Sequence, residues 1–437
     1  MNRRSMSASN VIAVLMAAGA AAASAQPAPA AAASGPSGPC DGFYADGFAP
    51  VIGEAEAAFV DRARPAKGVA VGDPHFGTCV VRATDHAAEP PEGFARSDYS
   101  RRQAFNADNT RFIVYAYDGA WHLYDARTLA HLRVLSGPAA DAEPHWHPTD
   151  PRKLYYVPNS GGTSLLLLDV ETQRTSTAAD FAGVLPWEGA ARVWTRSEGS
   201  PSADGRYWCF QAETTDHRML GVFTYDLHAQ QIVGTRSMSV RPDHVSMSAS
   251  GRWCVVSHLD GDGGTVAWDR TLTSSQPLHA TSEHSDLALS PSGEDLFVFV
   301  DYQSNAGDLT MVNLDTGART ALFRTYIDGS ATAYHVSGKA FGVPGWILLS
   351  TYAHSGPERW LHERIMAVEL RAEPTVIHLA HHQSHANGYW TEPHATVSGD
   401  FTRVLFTSNW GSNSEHDVDA YMILLPPDLL PRVRAAR

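Results

Sequence analysis

Apolar residues in this chain come in short runs of four to six, rich in β-branched and aromatic side chains. Gly, Asp, Asn and Ser separate the runs, and helical periodicity is not sustained anywhere. A unit recurs: a short strand, a tight Ser-x-Asp-Gly-like turn, a second strand, then a third strand ending near an acid or amide. Asn106-Ala-Asp-Asn leads into Arg111-Phe-Ile-Val-Tyr and Trp121-His-Leu-Tyr-Asp. Ser202-Ala-Asp-Gly leads into Tyr207-Trp-Cys-Phe, Ser248-Ala-Ser-Gly into Trp253-Cys-Val-Val, and Ser290-Pro-Ser-Gly into Leu296-Phe-Val-Phe. Further copies turn at Pro148-Thr-Asp-Pro and Ser398-Gly-Asp-Phe, with a weaker one at Val336-Ser-Gly. The turn residues fall at 108, 150, 204, 250, 292, 337 and 400, mostly in the forties apart. A unit of that length, with four short strands, cannot cover both of its own apolar faces and must pack against copies of itself. The expectation is an all-β, seven-bladed β-propeller with four antiparallel strands per blade, rather than a β-sandwich. Phe76 to Thr84 precedes the first full unit and is expected to be the outer strand of the last blade.

The ends change this picture little. Arg3 and Arg4, the apolar run Val11 to Ala23, and Ala23-Ser24-Ala25 have the order of a secretory signal peptide, residues 1–25. Residues 26–45 read as a flexible tether rich in Ala, Pro, Gly and Ser, and 46–437 as one propeller domain. No later stretch is apolar enough to span a bilayer, so the mature protein is expected in the periplasm or the medium. A formal charge of −14 argues against nucleic acid as a partner. Cys40, Cys79, Cys209 and Cys254 allow three pairings, left open here, and form no CxxC pattern.

Candidate chemistry lies ahead of the turns. In a propeller the strand before each turn is innermost, so its first residues meet at one mouth of the central channel. Those positions carry Tyr99, Arg101 and Arg102; Glu143 and His145; Arg196 and Glu198; Arg241 and His244; Glu283, His284 and Asp286; Tyr334 and His335; Tyr389, Glu392 and His394. A carboxylate beside or near a histidine recurs. Imidazole is a good ligand for zinc, manganese or iron, and a ligating imidazole commonly hands its other N–H to a carboxylate or carbonyl. The expected metal ligands are His244, His284 and His394, with His335 or His145 as a further one. Arg102 and Arg241 are expected to neutralise a substrate carboxylate, with Tyr99 or His145 handling a proton. Arg101, Arg196, Tyr334 and Tyr389 are expected to line the substrate. His381-His-Gln-Ser-His385 has the look of a metal tract on the connection into the last blade, and a solvated loop is its alternative. Gly-x-Ser-x-Gly, P-loop, Gly-x-Gly-x-x-Gly and His-Glu-x-x-His patterns are absent, which leaves serine hydrolase, kinase and dehydrogenase chemistry without support.

The Ser290-Pro-Ser-Gly and Ser202-Ala-Asp-Gly turns resemble the TolB-like propeller repeat. The histidine-rich mouth resembles that of oligogalacturonate lyases, on His284 ahead of Ser290-Pro-Ser-Gly and His394 ahead of Ser398-Gly-Asp. That likeness implies a propeller holding a divalent ion through histidines and a glutamine: manganese first, with calcium or zinc as alternatives. It also implies β-elimination on a uronic-acid-containing oligo- or polysaccharide. The family's Gln-x-x-His-x-His cluster is partly present, with Tyr389 and Glu392 where the glutamine and first histidine would stand. The alternatives are a non-catalytic propeller that binds a protein or glycan, and a metal-dependent hydrolase.

Overall fold

A computed structural model describes residues 38–90, 94–259, 263–304, 306–385 and 388–435. The proposed signal peptide and most of the tether lie outside these residues. Seven antiparallel sheets follow one another around a ring. Their innermost strands are Ala95–Arg96, His145–Trp146, Arg192–Trp194, His244–Met247, Ser285–Leu289, Ala331–Ser337 and Thr396–Val397, which define blades 1 to 7.

Blade 5 shows why the apolar runs are continuous rather than alternating. In its second strand, Asp295–Asp301, side chains point to opposite faces in turn. Phe297 and Phe299 pack with Val255 and Ala267 of blade 4, while Leu296, Val298 and Val300 pack with Val336, Ile347 and Leu349 of blade 6. Each face finds its cover in a neighbour, so each blade is stable only within the ring.

The ring closes through the last blade. Cys79–Arg82 pairs with Asp419–Leu424, giving blade 7 its fourth strand from the N-terminal side of the chain. Ala70–Gly72 adds a fifth strand outside it, and Val51–Ile52 a fifth strand on blade 6. The strand at Cys79 is therefore covered rather than outermost. A Cys40–Cys79 disulfide holds residues near Cys40 against this blade, and Cys209–Cys254 joins the second strands of blades 3 and 4. Among the described residues no helix is long and apolar enough to cross a membrane.

Two irregular units position chemistry. In blade 6 the Val336-Ser-Gly copy does not turn where the others do. Lys339 instead enters the interior and binds Asp286 of blade 5 at 2.8 Å, with both side chains buried. Before blade 7 the chain makes a short 3-10 turn, Tyr389–Thr391, and this added length presents Glu392 and His394 to the channel.

The turn glycines give a direct test of the repeat. Gly251 has φ +73°, and a Cβ there would lie 2.5 Å from the Tyr207 ring. Gly293 has φ +86° with open space around it. We expect Gly293→Ala to lose roughly 1 kcal/mol, the cost of the left-handed backbone alone. Gly251→Ala should lose clearly more, because the ring must also move. Urea unfolding of both variants checks the order, and equal losses would contradict the packing at Tyr207.

Candidate functional site

The inner strands start at one mouth, and three histidines meet there. His284 precedes the inner strand of blade 5, His335 lies within that of blade 6, and His394 precedes that of blade 7. Ring centroids are 4.6 Å apart for His284 and His335 and 4.1 Å for His335 and His394. Glu392 joins them, its Oε2 2.8 Å from His335 Nε2 and 3.4 Å from His394 Nε2. His335 is 1% exposed and His394 0%.

Burial sets the charge of this group. Desolvation holds His335 and His394 well below the ordinary imidazole value and takes His284 down to about 4, so all three are neutral at pH 7. His284 Nδ1 donates to the Tyr334 carbonyl at 2.6 Å, which leaves a lone pair on Nε2. Both ring nitrogens of His394 and Nδ1 of His335 have no hydrogen-bond partner. Buried polar atoms are seldom left so. His335, Glu392 and His394 offer ligand atoms all within 4.8 Å of one another. Neutral imidazoles and a carboxylate suit a borderline divalent ion such as manganese or zinc, so the residues present fit one.

His244, expected in the same set, is elsewhere. Its Nε2 lies 2.8 Å from Nη1 of Arg101, which is also 2.5 Å from Glu198 Oε2. Glu198, Asp243 and His244 offer a second set of converging donors, but the Arg101 guanidinium already supplies a cation beside them. Arg101 reaches across the channel from blade 1, and its Nε donates to the Ser285 carbonyl of blade 5. His145 is buried against Trp208 and lines a cavity of about 520 Å³ with Trp146, Ser200 and Lys339. That cavity opens among the turns, at the other mouth.

The remaining arginines are engaged. Arg102 donates to Asp98 and to the carbonyls of Pro144 and Ser197, bracing blades 1 to 3. Arg241 lies 2.6 Å from buried Glu213, and Arg196 donates to the Pro242 and Asp243 carbonyls. Tyr334 is buried between blades 5 and 6. Two of the expected tyrosines stand at the histidines: Tyr99, buried, has its ring 5.0 Å from His394 and 5.4 Å from His335, and Tyr389 has its ring 5.0 Å from His394. The tract from His381 to His385 disperses. His381 packs on Phe59 and Phe76, His382 meets the Thr351 carbonyl, and His385 faces Asp61.

Sequence reading passed over Arg96, which packs beneath Tyr389 and Trp390 with ring distances of 5.2 and 4.7 Å. Its signal was register, since it occupies the inner strand itself, two residues before the Asp98-Tyr-Ser-Arg-Arg stretch.

No protein-family model and no curated protein sequence matches the chain. Among solved structures, an oligogalacturonate lyase from Vibrio parahaemolyticus superposes with a TM-score of 0.59 at 12% identity, over 82% of this chain and 96% of that one. An oligogalacturonate lyase in complex with manganese superposes with a TM-score of 0.59 at 14% identity, over 83% and 96%. TolB from Acinetobacter baumannii gives a TM-score of 0.34 at 16% identity, over 61% and 63%. The two lyase matches are likenesses of fold alone, and the sheet order itself makes this chain a seven-bladed β-propeller.

The buried neutral histidines fix how stability depends on pH. Burial lowers His122, His284 and His378 from 6.5 to about 4. Between those values the unfolded chain binds more protons than the folded one, so stability falls as pH drops from 6.5 towards 4. Each such imidazole contributes of the order of 1–3 kcal/mol to that loss. Urea unfolding at pH 7 and pH 5 measures it, and equal stability at both would contradict neutral burial.

Proposed function

We propose that the chain is a metal-dependent lyase that cleaves a uronic-acid-containing oligosaccharide by β-elimination at the histidine mouth. The observation that carries the proposal is the buried set His284, His335, His394 and Glu392, in which Nδ1 of His335 and both ring nitrogens of His394 make no hydrogen bond to the protein. The fold likeness to oligogalacturonate lyases, one of them in complex with manganese, supports the same reading.

His335, His394 and Glu392 would hold the ion, with His284 Nε2 as a further donor. Held there, a divalent ion would supply Lewis-acid chemistry, drawing electron density from a uronate carboxylate and acidifying the neighbouring C5 proton. In the elimination that proton leaves C5, the C4–O bond breaks and a C4–C5 double bond forms. Burial raises Tyr99 well above the ordinary phenol value, so it keeps its proton at neutral pH and can give it to the departing oxygen. Where His284 Nε2 is not a ligand to the ion, its lone pair, the one left after Nδ1–H is given to Tyr334, would accept the C5 proton. Glu392 orients His335 through their hydrogen bond. Arg102 and Arg241 already hold Asp98 and Glu213, so they enter this proposal as supports of the channel wall.

We also place the protein outside the cytoplasm. The Arg-apolar-Ala-Ser-Ala order at its start supports this, as do the two disulfides that use all four cysteines.

Elemental analysis of purified protein should find about one divalent ion per chain, and a uronide panel should give a product with new ultraviolet absorbance. His394→Ala should lose the ion and at least roughly a hundredfold in turnover. Absence of both ion and product would leave a non-catalytic propeller as the reading. Turnover without new absorbance would indicate hydrolysis.

A further inference from the structure

Among the described residues the mouth holds five arginines, and four of them meet a carboxylate. Arg101 pairs with Glu198, Arg102 with Asp98, Arg196 with Asp243 and Arg241 with Glu213. Arg96 differs. Its side chain is among the most deeply buried of the large ones, at 1% exposure. Nε donates to the Ser97 carbonyl at 2.8 Å and Nη2 to the Asp98 carbonyl. Nη1 has no hydrogen-bond partner, and among the described residues no carboxylate forms an ion pair with Arg96. The ring faces of Tyr389 and Trp390 are what it has instead.

A buried guanidinium without an anion is unfavourable, because neither two carbonyls nor aromatic faces replace the lost hydration of a full charge. Arginine keeps its proton under all ordinary conditions, so neutralisation cannot relieve it. A side chain with one unused donor edge is shaped to take an oxygen anion, and carboxylates match the planar fork best. The covering side chain is not locked: Tyr389 is 49% exposed and follows Gly388, whose φ is 133°. The Tyr389 ring also touches His394, so an anion at Arg96 lies next to the histidine set.

We propose that Arg96 binds the carboxylate of an acidic sugar, with Tyr389 shifting so that Nη1 reaches the carboxylate and the sugar ring lies against the Tyr389 face. The sugar assignment rests on the lyase reading above; the carboxylate assignment does not. Aromatic faces carry negative potential and attract the weakly positive C–H edges of a pyranose ring, which suits Tyr389 to this second part.

The test uses metal-free, full-length protein and calorimetric titration with sodium galacturonate and sodium glucuronate. Wild type should bind at least one of them, and the methyl ester of that sugar at least tenfold more weakly. Arg96→Met should weaken binding of the acid tenfold or more, and Arg96→Lys should weaken it several-fold by keeping charge without the fork. Sodium acetate, a carboxylate with no ring to lie on Tyr389, should bind at least tenfold more weakly than the sugar acid. Thermal unfolding supplies a sign that a structural role would not give: free Arg96→Met should melt at the same temperature as wild type or higher, because it removes an unpaired buried charge. The proposal is overturned if neither uronate binds wild type, if acid and ester bind equally, or if Arg96→Met binds the acid as wild type does. Should Arg96→Met fail to fold, Arg96→Lys with unchanged affinity overturns it alone. Equal affinity for acetate overturns the sugar assignment. Metal content and ultraviolet product play no part here, so failure of the lyase reading and failure of this one are separately visible.

Discussion

Every blade of this protein is apolar on both faces, and that forces the chain into a closed ring. A blade such as the one built on Asp295–Asp301 presents Phe297 and Phe299 to one side and Leu296, Val298 and Val300 to the other. No blade has a solvent face to spare, so the first must find the last. Pairing of Cys79–Arg82 with Asp419–Leu424 makes that join, and a disulfide anchors it. The channel, its two mouths and the meeting of residues more than a hundred positions apart all follow from closure.

Closure brings seven strand ends to one axis, and the polar groups there must be satisfied or left for a ligand. Arg101 answers most of that need by crossing the channel to Glu198, His244 and Ser285. Its reach divides the mouth. On one side a cation is already present among the carboxylates. On the other, His284, His335, His394 and Glu392 face one another, and among the described residues no Lys or Arg forms an ion pair with Glu392. Lys339 and Asp286 settle a further buried pair nearer the other mouth. The contrast between settled pairs and unsettled imidazoles separates wall from site, because a buried polar atom without a partner is costly unless something binds it.

The imidazole cluster also depends on a local irregularity. The chain between blades 6 and 7 is longer than the other connections, and its 3-10 turn carries Tyr389 and Trp390 just ahead of Glu392 and His394. One short segment thus supplies the aromatic cover of Arg96, a carboxylate and an imidazole. Function on a propeller is commonly a matter of such insertions, since the repeat itself is occupied with packing.

Sequence alone determined the architecture. Turn residues such as Gly205 and Gly251, and strands such as Leu296-Phe-Val-Phe, report local backbone needs and two-faced burial, and both are local signals that repeat. The closing strand was legible because one β-rich run was left over before the first unit, although its cover by Ala70–Gly72 was not. The candidate site was legible in residue type and approximate place: His284, His335, His394, Tyr99 and Tyr389 do gather. Membership was not legible. His244 and His145 stand at the same repeat position as their counterparts, yet Arg101 claims one and burial near the other mouth takes the second. Arg102 and Arg241 looked free in sequence and are held by Asp98 and Glu213, while Arg96 looked unremarkable and has no carboxylate. Sequence states which charges exist. Which of them find partners depends on distances across the ring, and only the closed tertiary structure sets those.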